Sequence, residues 1–336
     1  MEKRKILVTG GAGYIGSTLC RELLTCDYKV LVLDNLMYGG SGIKPFLNHP
    51  NYEFIRGDIR DEGLMEKALE GIDSIVHLAA IVGDIPCKKN PSLSIEVNLD
   101  ATKSCYLLAK DMGVKRFIFA STCSNYGISD SSMQVSETGK LNPVSIYAET
   151  KVDCESFLKD ESKKTGMVTS IFRLASAFGL SARNRFDLLI NSLTFEALRD
   201  NKIMIFTPSI WRPYIHVLDI SYLFIMALEA DPALVRGEVF NGGNTCMNYQ
   251  KFQVVEAIEK ILGGNIEVKL IKEIEDIRTF KVDFSKVERV LGFKAAKSIE
   301  DGIFEIAQAI KNGVITFEDF NSNTLESISE IARKFK

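Results

Sequence analysis

The first half of the chain alternates short, almost continuously apolar runs with stretches of helical periodicity. The apolar runs are, in order, KILVTG, YKVLVLDN, NYEFIRGD, DSIVHLAA, KRFIFAS and MVTSIFRLA. Runs of this length that are apolar at successive positions are typical of strands buried on both faces. Because right-handed crossovers place the intervening helices on both sides of such a sheet, the pattern predicts an α/β fold with a doubly wound parallel sheet of the Rossmann type.

The second half has a different character, with short helical and strand-like segments in mixed order. We therefore predict a first domain at 1–177 and a smaller C-terminal α/β domain at 178–330. The segment 212–236 resembles a strand end that leads into a helix, and we expect it to pack back onto the first domain.

Composition and charge exclude several classes of function. The 336 residues carry a net charge of −3 without a basic block, so we expect no nucleic-acid partner. The chain has no apolar run of eighteen residues, and its first apolar run is too short for a signal-peptide core, so we expect no membrane span. Seven scattered cysteines without a CxxC pair, and only three histidines, favour reduced thiols in the cytoplasm and no metal site.

The glycine-rich stretch TGGAGYIG directly follows the first predicted strand and begins the first helix. Gly10, Gly13 and Gly16 would let the backbone approach a pyrophosphate at the positive end of that helix. Asp34 ends the second strand eighteen residues after Gly16, where a carboxylate accepts from the ribose hydroxyls of NAD and repels the 2′-phosphate of NADP. The sequence therefore predicts an NAD site. Neighbouring residues that we expect to contact the cofactor are Tyr14, Ile15 and Asn35.

Other strand ends fall at the same edge of the predicted sheet, because ligands bind at the carboxyl ends of parallel strands. After the third strand, Asp58 is placed to accept from the adenine amino group and Ile59 to pack on the ring. Further candidate cofactor contacts at the ends of the fourth and fifth strands are Leu78, Ala79, Ala80 and Ser121. His77 is interpreted as a strand residue held by its neighbours rather than as a catalyst.

The stretch FASTCSNYG permits three interpretations: a nucleophile at Cys123, a proton-transfer site built on a hydroxyl, or a strand end with small residues. A cysteine nucleophile lacks support, because no histidine lies nearby in sequence to activate it. A specialised proton transfer by Cys123 stays as an alternative.

The stretch YAETK places Tyr147 and Lys151 four residues apart on one helical face. A tyrosine with its ordinary pKa near 10 is a poor base at neutral pH. We expect the ammonium one turn away, together with a positive nicotinamide ring, to lower that pKa. The phenolate would then accept a hydroxyl proton while a hydride leaves the same carbon. A solvated pair on the helix surface is the alternative interpretation.

In this order the motifs resemble the extended short-chain dehydrogenase/reductases of the nucleotide-sugar epimerase/dehydratase type. The likeness covers nearly the whole chain, and it rests on TGGAGYIG, GDIRD, HLAA, FASTCSNYG, YAETK, FRLASAFG, WRPYIHVLD and DIRTFKVDFSKVERVLGF. The resemblance implies that the first domain binds NAD, that the second binds a nucleoside-diphosphate sugar, and that two copies form a homodimer.

The resemblance also implies roles for single residues. It implies that Thr122 provides the hydroxyl that contacts the reacting sugar hydroxyl and that Tyr147 is the base. It implies that Lys151 adjusts the pKa of this base and contacts the ribose. Asn98 is implied as a cofactor contact. Arg212 and Arg278 stand where the family often places arginines that bind the diphosphate, for which a fork of donors is suited. The remaining candidate substrate contacts are Asp84, Cys123, Ser124, Arg183 and Arg185.

In 4,6-dehydratases of this family the active-site hydroxyl residue is followed by an aspartate and a glutamate. Here Cys123 and Ser124 occupy those places, and neither replaces the acid pair. The resemblance therefore favours oxidation at C4 of the sugar and return of the hydride, which is an epimerase. The alternative is a C4 dehydrogenase or keto-sugar reductase, for example on a GDP-linked heptose, because AAIVGDIPCKKNP and SARNRFDLLINSLTFEAL resemble that subgroup. A dehydratase or a non-catalytic NAD-binding regulator is less favoured.

Overall fold

The structure is a computed structural model that describes residues 4–130, 133–271 and 278–316. Two stretches used in the sequence predictions lie outside these residues, namely the first two positions of DIRTFKVDF at 276–277 and the end of the predicted second domain at 317–330.

The secondary structure follows the predicted alternation through the first half of the chain. The strands are β1 Lys5–Thr9, β2 Lys29–Asp34, β3 Tyr52–Arg56, β4 Ser74–His77, β5 Arg116–Thr122, β6 Gln134–Val135, β7 Val168–Leu174, β8 Ser176–Phe178, β9 Lys202–Phe206, β10 Trp211–His216, β11 Glu238–Gly242, β12 Asn248–Gln250, β13 Glu267–Ile271 and β14 Lys281–Val282. The helices are α1 Tyr14–Thr25, α2 Glu62–Leu69, α3 Asp84–Lys89, α4 Pro91–Ile95, α5 Ala101–Asp111, α6 Ile146–Ser162, α7 Leu189–Asp200, α8 Val217–Glu229, α9 Pro232–Val235, α10 Lys251–Leu262, α11 Ser285–Leu291 and α12 Ile299–Lys311.

Among the described residues, seven strands form one large parallel sheet in the order β11-β7-β5-β4-β1-β2-β3. Alternate side chains of β1 point into two different apolar clusters. Ile6 and Val8 pack in one with Leu23 of α1, and Leu7 packs in the other with Leu158 of α6. The sheet is therefore covered on both faces, which confirms the predicted doubly wound α/β fold. The chain order reverses between β1 and β4, which is where such sheets bind ligands.

The sequence predicts one long helix from Ser92 to Gly113, but the structure has two helices, α4 and α5, in this range. A π-helical turn at Glu96–Asp100 separates α4 from α5. π-Turns are uncommon and often mark functional sites, because the extra residue turns a side chain out of register. Here the turn carries Asn98 into the interior.

The strand β11 was not assigned to the large sheet from sequence. It lies within the predicted second domain, yet it pairs with β7 and forms one edge of the large sheet. The segment 212–236 contains α8, which packs against α1 through Leu223 and Phe224. The domain boundary itself stays a prediction. The strand β11, however, belongs to the sheet of the predicted first domain.

The remainder of the second half builds smaller layers beside the large sheet. β10 pairs with β8 and β12, and β9 pairs with β13. Their apolar faces share a core with α7, α10 and α12. Central members of this core are Phe178, Ile190, Ile203, Val254 and Ile303.

In the described ranges, no helix is long and apolar enough to cross a bilayer. The same residues contain no cluster of three or more histidine, cysteine or acidic side chains arranged to hold a metal ion.

Candidate active site

The glycine turn between β1 and α1 is tightly packed against the end of β4. Gly10 has φ of +73°, and a Cβ there would lie 2.7 Å from the main-chain nitrogen of Ala79. A Cβ on Gly16 would lie 2.4 Å from the carbonyl oxygen of Gly10. Glycine is therefore required at both positions, at Gly10 by conformation and space and at Gly16 by space.

The N-terminus of α1 faces the same edge of the sheet. Gly13 is its N-cap residue, and no side chain caps the helix. The amides of the first turn and the helix dipole therefore favour an anion at this point.

Asp34 ends β2 next to the glycine turn. Its carboxylate accepts from the amide of Ala12 at 3.0 Å and from the amide of Leu36 at 2.8 Å. Burial raises the pKa of Asp34, while these two amides oppose the shift. Because each carboxylate oxygen accepts more than one hydrogen bond, Asp34 retains capacity for ribose hydroxyls.

The segment after β3 begins beside Asp34, and it contains Arg60, which the sequence analysis did not single out. Asp58 forms an ion pair with Arg60 at 2.9 Å, and the Asn35 amide donates to Asp58 at 3.5 Å. Ile59 is buried. Burial opposes ionisation of Asp58, but its contacts with Arg60 prevail and hold its pKa below the usual value.

Two predicted cofactor contacts direct their side chains elsewhere. Asn98 is fully buried, and its amide group exchanges two hydrogen bonds with the backbone of Ile81, at 2.8 and 2.9 Å. The hydroxyl of Ser121 donates to Glu155 in the interior. Asn98 therefore holds the loop after β4, which carries Leu78, Ala79 and Ala80 toward the glycine turn. A direct contact of either side chain with the cofactor stays a prediction.

The interior partner of Ser121 belongs to a buried ion pair that sequence reasoning missed. Glu155 and Arg173 lie 2.6 Å apart with their side chains 3% and 6% exposed. Asn125 also donates to Glu155, at 2.8 Å. Removing one partner of such a pair costs about 3–5 kcal/mol, so this network fixes the end of β5.

Thr122, Tyr147 and Lys151 come together where β5 ends and α6 begins. The Thr122 side chain lies close enough to the Tyr147 phenol to lower the pKa of that phenol. Lys151 is 3% exposed, its Nζ donates to the carbonyl oxygen of Ala120 at 2.9 Å, and Nζ lies 4.5 Å from the ring centre of Phe119. The helical spacing of YAETK therefore places Tyr147 and Lys151 beside the end of β5, where Thr122 lies.

In the protein alone the pKa of Tyr147 lies above its ordinary value. Burial raises the pKa of Tyr147 to about 12, and the guanidinium of Arg185 is the main opposing influence, followed by the Thr122 side chain. Burial also lowers the pKa of Lys151 to about 8. Desolvation of the phenol therefore prevails in the protein alone, and the expected lowering by Lys151 together with a positive nicotinamide ring stays a prediction.

Cys123 is not arranged as a nucleophile. Its thiol is buried and donates to the carbonyl oxygen of Arg173 at 3.1 Å. Burial raises the pKa of Cys123 above its ordinary value, so the thiol stays protonated. Ser124 is half-buried, and its amide donates to the hydroxyl of Thr122 at 3.1 Å, which orients that hydroxyl.

Arg185 and Asp84 influence the charge of the phenol from two other elements. Arg185 forms a double hydrogen bond with Asp187, at 3.0 and 2.5 Å. Asp84, at the start of α3, raises the pKa of Tyr147, whereas Arg185 lowers it. Both predicted substrate contacts therefore lie within electrostatic range of the catalytic candidate.

Arg212 and Arg278 are neighbours at the edge of this cleft. Arg212 donates to the carbonyl oxygen of Arg278, and its guanidinium lies 5.0 Å from the ring centre of Phe280. Arg278 forms an ion pair with Asp84 at 2.6 Å. The two predicted diphosphate residues are therefore brought together, and one of them reaches the loop after β4.

Arg183 lies elsewhere, although it is only two positions from Arg185. Its guanidinium lies 4.5 Å from the ring centre of Tyr38, and it lowers the pKa of Asp34. It is therefore beside the glycine turn rather than beside Tyr147. Tyr38, in the loop after β2, was not recognised from sequence.

His77 is the strand residue that the sequence analysis expected. It is fully buried between the hydroxyls of Thr9 and Thr102, at 2.9 and 3.0 Å. Burial lowers the pKa of His77 to about 3, so it is neutral at physiological pH.

A model of the NAD dependent epimerase/dehydratase family matches residues 6–243, which include the glycine turn, Asp34 and the Tyr147–Lys151 helix. The chain belongs to this family. The predicted resemblance is thereby confirmed, and the protein is an enzyme whose cofactor is NAD.

Individual members of the family resemble the chain over most of its length. A UDP-glucose 4-epimerase from Lactobacillus helveticus is 30% identical, covering 90% of this chain and 96% of that protein. UDP-glucuronic acid decarboxylase 6 from Arabidopsis thaliana is 28% identical, covering 89% and 86%. A solved structure of a UDP-glucuronic acid 4-epimerase from Bacillus cereus, in complex with UDP-glucuronic acid and NAD, has 28% identity and a TM-score of 0.83, covering 92% and 99%.

The residues at the glycine turn fit NAD. Gly10 and Gly16 let the turn pack backbone to backbone against Ala79 and against itself, which is the tight strand–turn–helix junction that a dinucleotide site requires. The uncapped first turn of α1 suits the pyrophosphate, and the Asp34 carboxylate suits the ribose hydroxyls.

Proposed function

We propose that the protein epimerises a nucleoside-diphosphate sugar at C4 through a 4-keto intermediate. Two of the relatives described above are named as 4-epimerases of UDP-glucose and UDP-glucuronic acid. The observation that carries the proposal is the meeting of Thr122 at the end of β5 with Tyr147 and Lys151 of α6, where Lys151 Nζ donates to the carbonyl oxygen of Ala120 at 2.9 Å.

In this proposal Tyr147 is the base. Its phenolate accepts the proton of the C4 hydroxyl, and Thr122 orients that hydroxyl by a hydrogen bond. NAD, which the glycine turn and Asp34 would hold, would accept the hydride from C4 and give it back to the opposite face of the ketone. After the keto-sugar has rotated in the cleft so that its opposite face is presented, Tyr147 returns the proton to the new C4 hydroxyl. The raised pKa of Tyr147 makes it a strong base once ionised, and a positive nicotinamide ring would favour that ionisation.

The diphosphate is assigned to Arg212 and Arg278. Their proximity supports this, since the Arg212 guanidinium reaches the main chain of Arg278 and each of the two side chains carries the fork of donors that suits a diphosphate. The Phe280 ring beneath Arg212 restricts its guanidinium, which reduces the entropy lost on binding.

Dehydration by the family's acid pair is not supported. Cys123 donates its thiol proton to a main-chain carbonyl and has a raised pKa. Ser124 is no base without an activating partner. The same Thr122, Tyr147 and Lys151 would also serve a C4 dehydrogenase or a keto-sugar reductase, so the fate of the hydride decides between these reactions.

The test is turnover of UDP-, GDP-, CDP- and dTDP-sugars that carry deuterium at C4, with the products followed by proton NMR and mass spectrometry. An epimerase yields the C4 epimer with deuterium retained and no net absorbance at 340 nm. A dehydrogenase instead yields the ketone and lasting absorbance at 340 nm.

Substitution of the base tests the mechanism directly. Tyr147→Phe should lower kcat by about 10²–10⁴-fold, because positioned proton transfer contributes that much. NAD should stay bound, and Tyr222→Phe on the exposed side of α8 should have no effect. Full turnover by Tyr147→Phe would overturn the assignment.

Two further features belong to this proposal. We propose a homodimer, as in the family's usual arrangement, and light scattering after size exclusion would give the mass in solution. We also propose a cytoplasmic location. All seven cysteines are free, which supports a reducing compartment, and cell fractionation would test it.

A further inference from the structure

A segment from beyond β8 is tied to the first turn of α1. The Tyr14 hydroxyl donates to the carbonyl oxygen of Gly179 at 2.6 Å, and the Ser181 hydroxyl donates to the carbonyl oxygen of Tyr14 at 2.7 Å. The hydroxyls of Ser17 and Ser181 are also 2.7 Å apart. These contacts fix the backbone leading to Arg183 beside the helix end that faces the glycine turn.

The loop after β2 meets the same helix end from another direction. Gly42 packs directly on the turn, since a Cβ there would lie 2.2 Å from the carbonyl oxygen of Ala12. This loop carries Tyr38, whose ring stacks beneath the Arg183 guanidinium at 4.5 Å. Two separate parts of the chain therefore converge on Arg183, and the Tyr38 ring restricts its guanidinium.

Arg183 is a buried cation whose charge is incompletely balanced. It is 5% exposed, and its buried Nε has no hydrogen-bond partner within the described ranges. Burial lowers the pKa of Arg183 to about 10, and repulsion by Arg185 adds to the shift. Tyr38, Asp187 and Asp34 oppose the shift through space. Chains seldom bury a donor of this kind without a ligand that completes it.

We propose that Arg183 binds the pyrophosphate of the dinucleotide cofactor, and not the diphosphate of the sugar nucleotide. The proposal rests on the proposed function, in which two different diphosphates bind to one chain. The first turn of α1 offers main-chain amides to the pyrophosphate, and Arg183 adds a charged fork held by Tyr38. Arg212 and Arg278 then remain for the substrate. Cofactor binding would thereby also hold the 179–183 segment against the first domain.

The test measures binding by calorimetry on full-length protein freed of nucleotide, with NAD, ADP-ribose, adenosine and UDP as probes. Arg183→Gln should weaken NAD and ADP-ribose about ten- to a hundredfold, which is the usual contribution of a hydrogen bond to a charged group. Binding of adenosine and of UDP should be unchanged. Arg183→Lys should recover part of the NAD affinity. Arg199→Gln, at the end of α7 where Arg199 pairs with Asp200, is the matched control and should bind all four probes normally.

Thermal unfolding separates this role from a structural one. Without nucleotide, Arg183→Gln should melt at the wild-type temperature or above, since the variant removes a poorly compensated buried charge. In saturating NAD it should gain fewer degrees than wild type. A lower melting temperature without nucleotide, together with unchanged NAD affinity, would show that Arg183 is structural.

Other outcomes also overturn the proposal. Weaker UDP binding with normal NAD binding would return Arg183 to the substrate site. With NADP as an additional probe, weaker binding of NADP alone would assign Arg183 to a 2′-phosphate. If wild type turned over no nucleotide sugar and the NAD result still held, the proposed function would fail while the role of Arg183 would stand.

Discussion

Arg278 Nη1 lies 2.6 Å from Asp84 Oδ2. An arginine that is proposed to bind the diphosphate therefore already forms an ion pair with a carboxylate at the start of α3. The second oxygen of that carboxylate, Oδ1, is buried without a hydrogen-bond partner in the described structure. Under the proposed assignment of Arg278 to the diphosphate, Asp84 would compete with that anion for Arg278 and add negative charge near it.

Asp84→Asn should consequently tighten the binding of UDP. The amide keeps the shape and removes the charge, and since the Asp84 side chain is 33% exposed the gain is screened, to about a few-fold. Isothermal titration with UDP at low and high salt would measure it, with the difference shrinking as salt rises. Weaker binding by Asp84→Asn would mean that Asp84 orients Arg278 toward the diphosphate rather than competing with it.

Arg185→Gln should shift the pH dependence of the reaction. Arg185 lowers the pKa of Tyr147, so its removal raises that pKa, and the active phenolate then forms only at higher pH. The rising limb of log(kcat/KM) should move to higher pH, with a loss at neutral pH on the order of tenfold. Arg185→Lys should restore the position of the limb in part. A uniform drop at every pH would instead indicate that Arg185 only binds substrate.

Most of the large sheet could be predicted from sequence, because buried parallel strands are apolar at successive positions. Positions such as Val8, Val32 and Ile118 show this in β1, β2 and β5. The strand β11 could not be placed in the same way. Its partner β7 lies more than sixty residues earlier, and nothing local in five residues specifies which sheet they join.

The catalytic candidates were easier to predict than their electrostatics. Helical spacing brings Tyr147 and Lys151 to one face, whatever surrounds them. The pKa of Tyr147 depends on burial and on Arg185, which is 38 positions away in the chain and close only in the fold. Arg183 and Arg185 also show why local sequence does not assign partners, since one lies over Tyr38 and the other pairs with Asp187.

Cys123→Ala should leave catalysis almost intact. The thiol is buried and bound to a main-chain carbonyl, so its loss should change kcat by less than about threefold and lower stability by about 1 kcal/mol. Thiol labelling of the folded protein should modify the exposed Cys26 and Cys246 and spare Cys123. A hundredfold fall in kcat for Cys123→Ala would restore the alternative of a specialised proton transfer.

His77 should make the fold sensitive to acid. Its pKa is lowered from 6.5 to about 3 by burial, so below pH 6.5 the unfolded chain takes up a proton that the folded chain refuses. Stability is therefore lost as the pH falls from 6.5 toward 3, and at pH 5 the loss from this group is about 2 kcal/mol. His77→Gln carries no titrating ring, so its urea midpoint should fall less than that of wild type between pH 7.5 and pH 5. His49→Gln, at an exposed position, should follow wild type, and identical curves for all three proteins would exclude His77 as the source.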